Sequence, residues 1–119
     1  PYHMSPIDVS VFPLMKKPEL LKVAKEIKEN LEKEFVIDYD IAGSIGRRYL
    51  RSAEFGTPYA ITIDYDSIDD KSVTVRDRDS EKQVRIKIEN LKDVLKKLIN
   101  NEIEFEKAGK SVNTRVKEN

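Results

Sequence analysis

Phe35-Val36-Ile37-Asp38-Tyr39 is the stretch on which the fold turns. Its β-branched and aromatic residues read as a short strand. It follows directly on a segment of helical period, in which Leu20, Ala24, Ile27 and Leu31, with Val23, mark one face at three- and four-residue spacing and Pro18 suits the first turn. That spacing predicts a helix from Pro18 to about Glu34. Upstream, Ile7, Val9 and Val11 alternate with Asp8 and Ser10, and Phe12 and Leu14 extend the apolar run until Pro13 ends or bulges it. This is the pattern of a strand entering a sheet interior. The first third therefore reads strand, helix, strand, and such a unit predicts a parallel pair with a right-handed crossover.

On the other side of the stretch, Gly43-Ser44-Ile45-Gly46-Arg47-Arg48-Tyr49-Leu50-Arg51 marks a passage into a second helix. Ser44 is placed to cap it, Ile45, Tyr49 and Ala53 share one face, and Arg47, Arg51 and Glu54 lie away from that face. Gly56 and Thr57-Pro58 stop it. Tyr59, Ile61, Ile63 and Tyr65 then alternate with Ala60, Thr62, Asp64 and Asp66 as a half-buried strand, and Ser67 to Lys71 form a turn. Val73 and Val75, then Val84, Ile86 and Ile88, predict two further strands joined over Asp77 to Lys82, and turns this short favour antiparallel pairing. Asn90 is placed to cap a last helix with Asp93 at its third position, and Leu91, Val94, Leu95, Leu98 and Ile99 form its apolar stripe. The expected fold is α/β, with a mixed sheet of roughly five strands flanked by about three helices. Residues 1–5 are expected as a flexible lead, 6–101 as the domain and 102–119 as a polar tail.

A chain of 119 residues, 39% hydrophobic and 37% charged, suits one wet globular domain. With no cysteine and only His3 as histidine, disulfide, thiolate-metal and Ser/His/Asp chemistry drop out. No apolar run approaches the roughly 20 residues of a membrane span, and no secretory leader opens the chain, so a cytoplasmic protein is expected. Lys+Arg 22 against Asp+Glu 22 gives zero formal charge, yet six of the seven arginines lie between Arg47 and Arg85 while most lysines lie on the predicted helix faces. Arginine's planar donor fork suits phosphates and base edges, so the partition points to recognition. Pairing with Asp64, Asp66, Asp77 and Asp79 is the competing explanation.

Three chemistries can be weighed on these residues. The loop Gly43-Ser44-Ile45-Gly46 lies where backbone amides favour an anion, but neither the Walker spacing nor G-x-G-x-x-G is present. A KH-type G-x-x-G loop joins two helices, whereas the strand at Val36 to Tyr39 precedes this one. The pairs Asp38/Asp40, Asp64/Asp66 and Asp77/Asp79 invite Mg²⁺, but they sit at strand exits and turns where aspartate is a common local hydrogen-bonder. No catalytic residue and no metal ligand is assigned. The remaining constellation is Arg47, Arg48, Arg51 and Glu54 on one helix, with Arg76, Arg78 and Arg85 on the last two strands and their turn. Alternation puts Thr74 with Arg76, and Gln83 with Arg85, on matching strand sides, a surface that offers the vocabulary for exposed base edges.

Four blocks, Pro6-Ile7-Asp8-Val9-Ser10-Val11-Phe12-Pro13-Leu14, Gly43-Ser44-Ile45-Gly46-Arg47-Arg48-Tyr49, Glu54-Phe55-Gly56-Thr57-Pro58-Tyr59 and Thr74-Val75-Arg76-Asp77-Arg78-Asp79-Ser80, together resemble the C-terminal anticodon-binding domain of glycyl-tRNA synthetase of the archaeal and eukaryotic type, a class II aminoacyl-tRNA synthetase. The resemblance implies a mixed sheet flanked by helices that binds the anticodon region of tRNA(Gly). It implies RNA contacts at Arg47, Arg48, Arg51, Glu54, Arg76, Arg78, Gln83 and Arg85. It departs at Leu50, Ser52 and Ala53, where the family usually carries an arginine and polar residues. It further implies that glycine, ATP and Mg²⁺ bind on a separate catalytic domain, with no cofactor in this one, and that the whole enzyme is a homodimer; for the isolated domain a monomer is expected. Pro1 in place of a starting methionine fits an excised fragment, and a free-standing accessory domain that binds nucleic acid or a protein without aminoacylation is the alternative.

Overall fold

The computed structural model describes residues 7–39 and 57–112. β1 (Val9–Pro13) leads into α1 (Pro18–Leu31) and β2 (Ile37–Tyr39). β3 (Tyr59–Ile63) is followed by a one-turn helix, α2 (Tyr65–Asp69), and then by β4 (Ser72–Asp77), β5 (Gln83–Lys87) and α3 (Ile88–Ile99). A 3-10 turn (Phe105–Lys107) and β6 (Lys110–Val112) complete the order. The sheet has six strands in the order β2-β1-β3-β4-β5-β6. β1 pairs parallel with both β2 and β3, and every pairing from β3 to β6 is antiparallel.

The βαβ reading holds in its element order and in the parallel pairing of β1 with β2. Pro18 occupies the first turn of α1, where its missing N–H is no loss, and Leu20, Ala24, Ile27 and Leu31 are its buried face. The helix stops at Leu31, before Glu34, and the amides of Glu34 and Phe35 both donate to the Leu31 carbonyl. The chain is then fixed beside β1 because the Asp8 carboxylate accepts from the Val36 amide at 2.8 Å, while the Asp8 amide donates to the Val36 carbonyl at 2.9 Å. α3 ends in a Schellman motif. Asn101 takes φ 60°, its amide donates to Leu98, and the Glu102 amide donates to Lys97.

One face of the sheet carries Val9, Val11, Ile61, Ile63, Val73, Val75, Val84 and Ile86, packed on α1 and on Leu91, Leu95 and Leu98 of α3. Glu34 joins the two helices outside this core, accepting from Lys92 and Lys96, and the Lys96 hydrogen bond is the main reason its carboxyl lies below the usual range. The other face is buried as well, although apart from Phe12 it is built of smaller or more polar residues: Ser10, Ala60, Thr62, Thr74 and Gln83.

Four expectations are corrected here. The sheet has six strands and not five, because residues 102–119, expected as a loose tail, contain the 3-10 turn and β6. β3 is buried on both faces along its whole length, and it ends at Ile63. The turn expected at Ser67 to Lys71 is mostly helical, as α2. α3 begins at Ile88 directly behind β5, so Lys87 stands at its cap position and Asn90 lies inside the helix. The helix expected from Ser44 lies outside the described residues.

β6 is seated through Gly109. A Cβ built there would lie 2.3 Å from the Arg85 carbonyl oxygen and 2.9 Å from Ile86 Cγ1, so only a residue without one lets the chain pass against β5. Gly109→Ala is therefore expected to destabilise the domain by about 1–3 kcal/mol, measured by urea unfolding, with faster amide exchange in β6 as the local signature.

Candidate nucleic-acid interface

The β4–β5 hairpin carries four of the residues singled out from sequence, Arg76, Arg78, Gln83 and Arg85. Its register sets Arg76 opposite Gln83 and Thr74 opposite Arg85, so these four side chains share one side of the sheet, as alternation predicts. Arg78 lies in the connecting turn.

That turn is braced from within. Asp77 is buried, and its carboxylate accepts from the Ser80 amide at 3.2 Å and the Ser80 hydroxyl at 2.8 Å. Ser80 Oγ in turn accepts from the Lys82 amide, and the Asp77 amide donates to the Lys82 carbonyl at 2.9 Å. These bonds hold Glu81 at φ 62°, a left-handed conformation uncommon for its residue type. The Arg78 amide donates to the Pro58 carbonyl at 2.9 Å, tying the turn to the entrance of β3, and Lys82 pairs with Glu106 at 3.1 Å on the 3-10 turn.

On this rigid base stand two partly exposed guanidinium groups. The Arg76 side chain is 26% exposed and lies 3.9 Å from Glu81, and that of Arg78 is 33% exposed and pairs with its neighbour Asp79 at 3.0 Å. Surface pairs of this kind contribute little. A phosphate or a base edge can displace the carboxylates, because it offers the same fork a bidentate partner.

Arg85 behaves differently. Its Nη atoms donate to both Asp64 oxygens at 2.6 and 3.0 Å, Nε donates to Ser72 Oγ at 2.7 Å, and Nη1 also reaches Thr74 Oγ1 at 2.9 Å. Asp64 meanwhile caps α2 in a reciprocal box with Ser67. Burial pushes the Asp64 carboxyl up, but the Arg85 hydrogen bonds and charge, with help from Ser67, outweigh it and hold the group below the usual carboxylate range. Arg85, grouped by sequence with the RNA-facing arginines, thus has its guanidinium turned inward as a brace. Gln83 is likewise internal, at 3% exposure. Arg47, Arg48, Arg51 and Glu54 lie outside the described residues. Pairing with Asp64, the competing explanation from sequence, is what holds for Arg85; the capping role of Asp64 was missed, and its signal is the Asp64-x-x-Ser67 spacing of a capping box.

Among the described residues no group of three or more His, Cys, Asp or Glu side chains could hold a metal ion, and no helix is long and apolar enough to cross a membrane. What the hairpin can do is present donors on a fixed frame to an anionic, hydrogen-bonding partner.

Comparison with known proteins agrees with this chemistry. The chain belongs to the anticodon-binding domain family, whose model matches residues 8–98. Among its relatives, the glycine–tRNA ligase of Clostridium kluyveri is 51% identical over 96 residues, which is 81% of this chain and 20% of that protein. The glycine–tRNA ligase of Methanothrix thermoacetophila is 44% identical over 110 residues, covering 92% of this chain and 19% of the relative. The chain thus spans about a fifth of the length of the curated relatives it matches. In structure it resembles prolyl-tRNA synthetase from Cryptosporidium parvum, with TM-score 0.79 at 22% identity over 85% of this chain and 22% of that one. It also resembles the RNA binding domain of threonyl-tRNA synthetase from Cryptosporidium parvum, with TM-score 0.71 at 22% identity over 81% of this chain and 24% of that one.

The Asp64–Arg85 pair should be visible in acid. Because the folded-state pKa of Asp64 is depressed, the pair's contribution is complete above the unfolded value of about 4 and is lost as pH falls through the folded value. Asp64→Asn is expected to cost about 1.5–3 kcal/mol near neutral pH and to flatten the acid limb of stability, measured by urea unfolding at a series of pH values.

Proposed function

We propose that this domain reads the anticodon of tRNA(Gly) for a glycine–tRNA ligase. The observation that carries the proposal is the braced β4–β5 turn with its two partly exposed arginines, set in a chain that is about half identical to glycine–tRNA ligases. Glycine codons place cytosine at the second and third anticodon positions, so these are the bases to be read. Arg76 and Arg78 supply the base-reading donors, while Arg47, Arg48 and Arg51 serve the stem and its phosphates. Glycine, ATP and Mg²⁺ belong to a separate catalytic region, and the whole ligase acts as a homodimer. The division of labour follows from chemistry, since phosphate contacts position an RNA without reading it and base contacts specify it.

The test is a titration at one moderate salt concentration with tRNA(Gly) transcripts that keep or replace the two cytosines. The native anticodon is expected to bind more tightly. Equal binding of both would remove anticodon reading and favour an accessory domain with another partner.

Two sets of variants then separate the roles. Arg76→Ala and Arg78→Ala are expected to lower affinity for tRNA(Gly) more than for other tRNAs, by about 1–3 kcal/mol each. Arg47→Ala is expected to weaken all tRNAs alike and to flatten the salt dependence by about one unit of slope. Uniform losses from both sets would sink the division.

A further inference from the structure

Gln83 holds an anomaly that the hairpin's architecture does not resolve. Its Oε1 is buried and accepts no hydrogen bond, in a residue almost entirely removed from solvent. A buried acceptor without a donor is costly, and such atoms are rare in folded proteins. Directly across the hairpin, on the same side of the sheet, stands Arg76, whose guanidinium has five N–H donors and no acceptor. One cross-strand pair thus sets a donor fork beside an acceptor without a partner.

We propose that Arg76 and Gln83 form a cytosine-reading pair, an assignment that rests on the anticodon function above. Cytosine presents one donor, the N4 amino group, followed by two acceptors, N3 and O2. Gln83 Oε1 accepts from N4 while the Arg76 guanidinium donates to N3 and O2. The base meets the oxygen when the glutamine side chain, which has three rotatable torsions, turns toward Arg76. Uracil inverts the first two groups, offering O4 as acceptor and N3–H as donor. Glutamine answers the first inversion by turning its amide round, but arginine has no acceptor with which to answer the second. Discrimination against uracil therefore rests on Arg76, Gln83 supplies the acceptor that rewards the amino group, and the pair reads one of the two glycine-specific cytosines.

The experiment uses this chain and anticodon stem-loop RNAs of tRNA(Gly) that carry cytosine, uracil or pyrimidin-2-one, which is cytosine without its amino group, at the second or the third position. At one of these positions the unaltered protein is expected to bind cytosine roughly five- to a hundredfold more tightly than either replacement. Gln83→Met keeps the volume and removes the oxygen. With an unfolding profile confirming that it is folded, it is expected to bind cytosine and pyrimidin-2-one equally at that position and to keep its preference at the other. Equal binding of cytosine and pyrimidin-2-one at both positions by the unaltered protein, with uracil still rejected, would overturn the pair while leaving anticodon reading intact. So would a folded Gln83→Met that keeps the full preference. Should the unaltered protein bind all three RNAs alike at both positions, the anticodon function falls and the pair with it. The pyrimidin-2-one comparison needs no substitution and can overturn the pair even if Gln83→Met fails to fold.

Discussion

The two-pronged contact from Arg85 to Asp64 joins parts of the domain that follow different rules. On one side of β3 the strands run parallel and are linked through α1, and on the other they run antiparallel through tight turns. Arg85 stands on β5 and grips Asp64 at the exit of β3, passing Ser72 and Thr74 of β4 on the way. Each of these bonds involves a charged group, and such bonds are the stronger kind. They fix the corner where the chain leaves β3, makes the single turn of α2 and re-enters the sheet as β4. The direction of the β4–β5 hairpin, and so the direction in which Arg76 and Arg78 project, follows from how that corner is held.

Much of this arrangement was legible in the residue order. The βαβ unit showed itself because apolar spacing changes from two to three-and-four and back within residues 7–39. The antiparallel hairpin was readable from the alternation around Val73, Val75, Val84 and Ile86, and the same alternation put Arg76 and Gln83 on one side. What failed did so for identifiable reasons. Ala60 and Thr62 looked like an outer face, yet the sheet buries both sides of β3 and tolerates small or hydroxylated residues there. α2 and β6 are too short for a period to emerge, and their cues were a capping box and a glycine. Which of the candidate aspartates Arg85 takes was not readable, because Asp64 lies 21 positions away in sequence, beyond any local pattern. Asn90 has the chemistry of a cap, but β5 delivers the chain straight into α3 two residues earlier.

The relatives separate frame from message. Synthetase structures named for proline and threonine share the fold at 22% identity, which is what a common pattern of buried positions and connections would leave. Ligases named for glycine share about half of the residues. A frame can serve many readers, and identity of reading lies in the few side chains mounted on it. The shape of the β4–β5 turn is set by Asp77 and Ser80.

The mixed sheet also imposes an order of assembly. Arg76 finds Gln83 across one short turn, and α3 begins where β5 ends, so β4, β5 and α3 form a unit of local contacts. Val9, by contrast, must find Tyr59 after α1, β2 and the connection beyond it have been laid down. Closing a long loop has an entropic cost that arises before the pairing repays it, which makes such parallel contacts slow. The hairpin therefore takes shape early and the seam between β1 and β3 closes late. A chain emerging from the ribosome presents β1 first and must wait for β3, with the Val9 and Val11 edge unpaired on that side in the interval. The seam that joins the parallel half of the sheet to the antiparallel half is thus completed last in time.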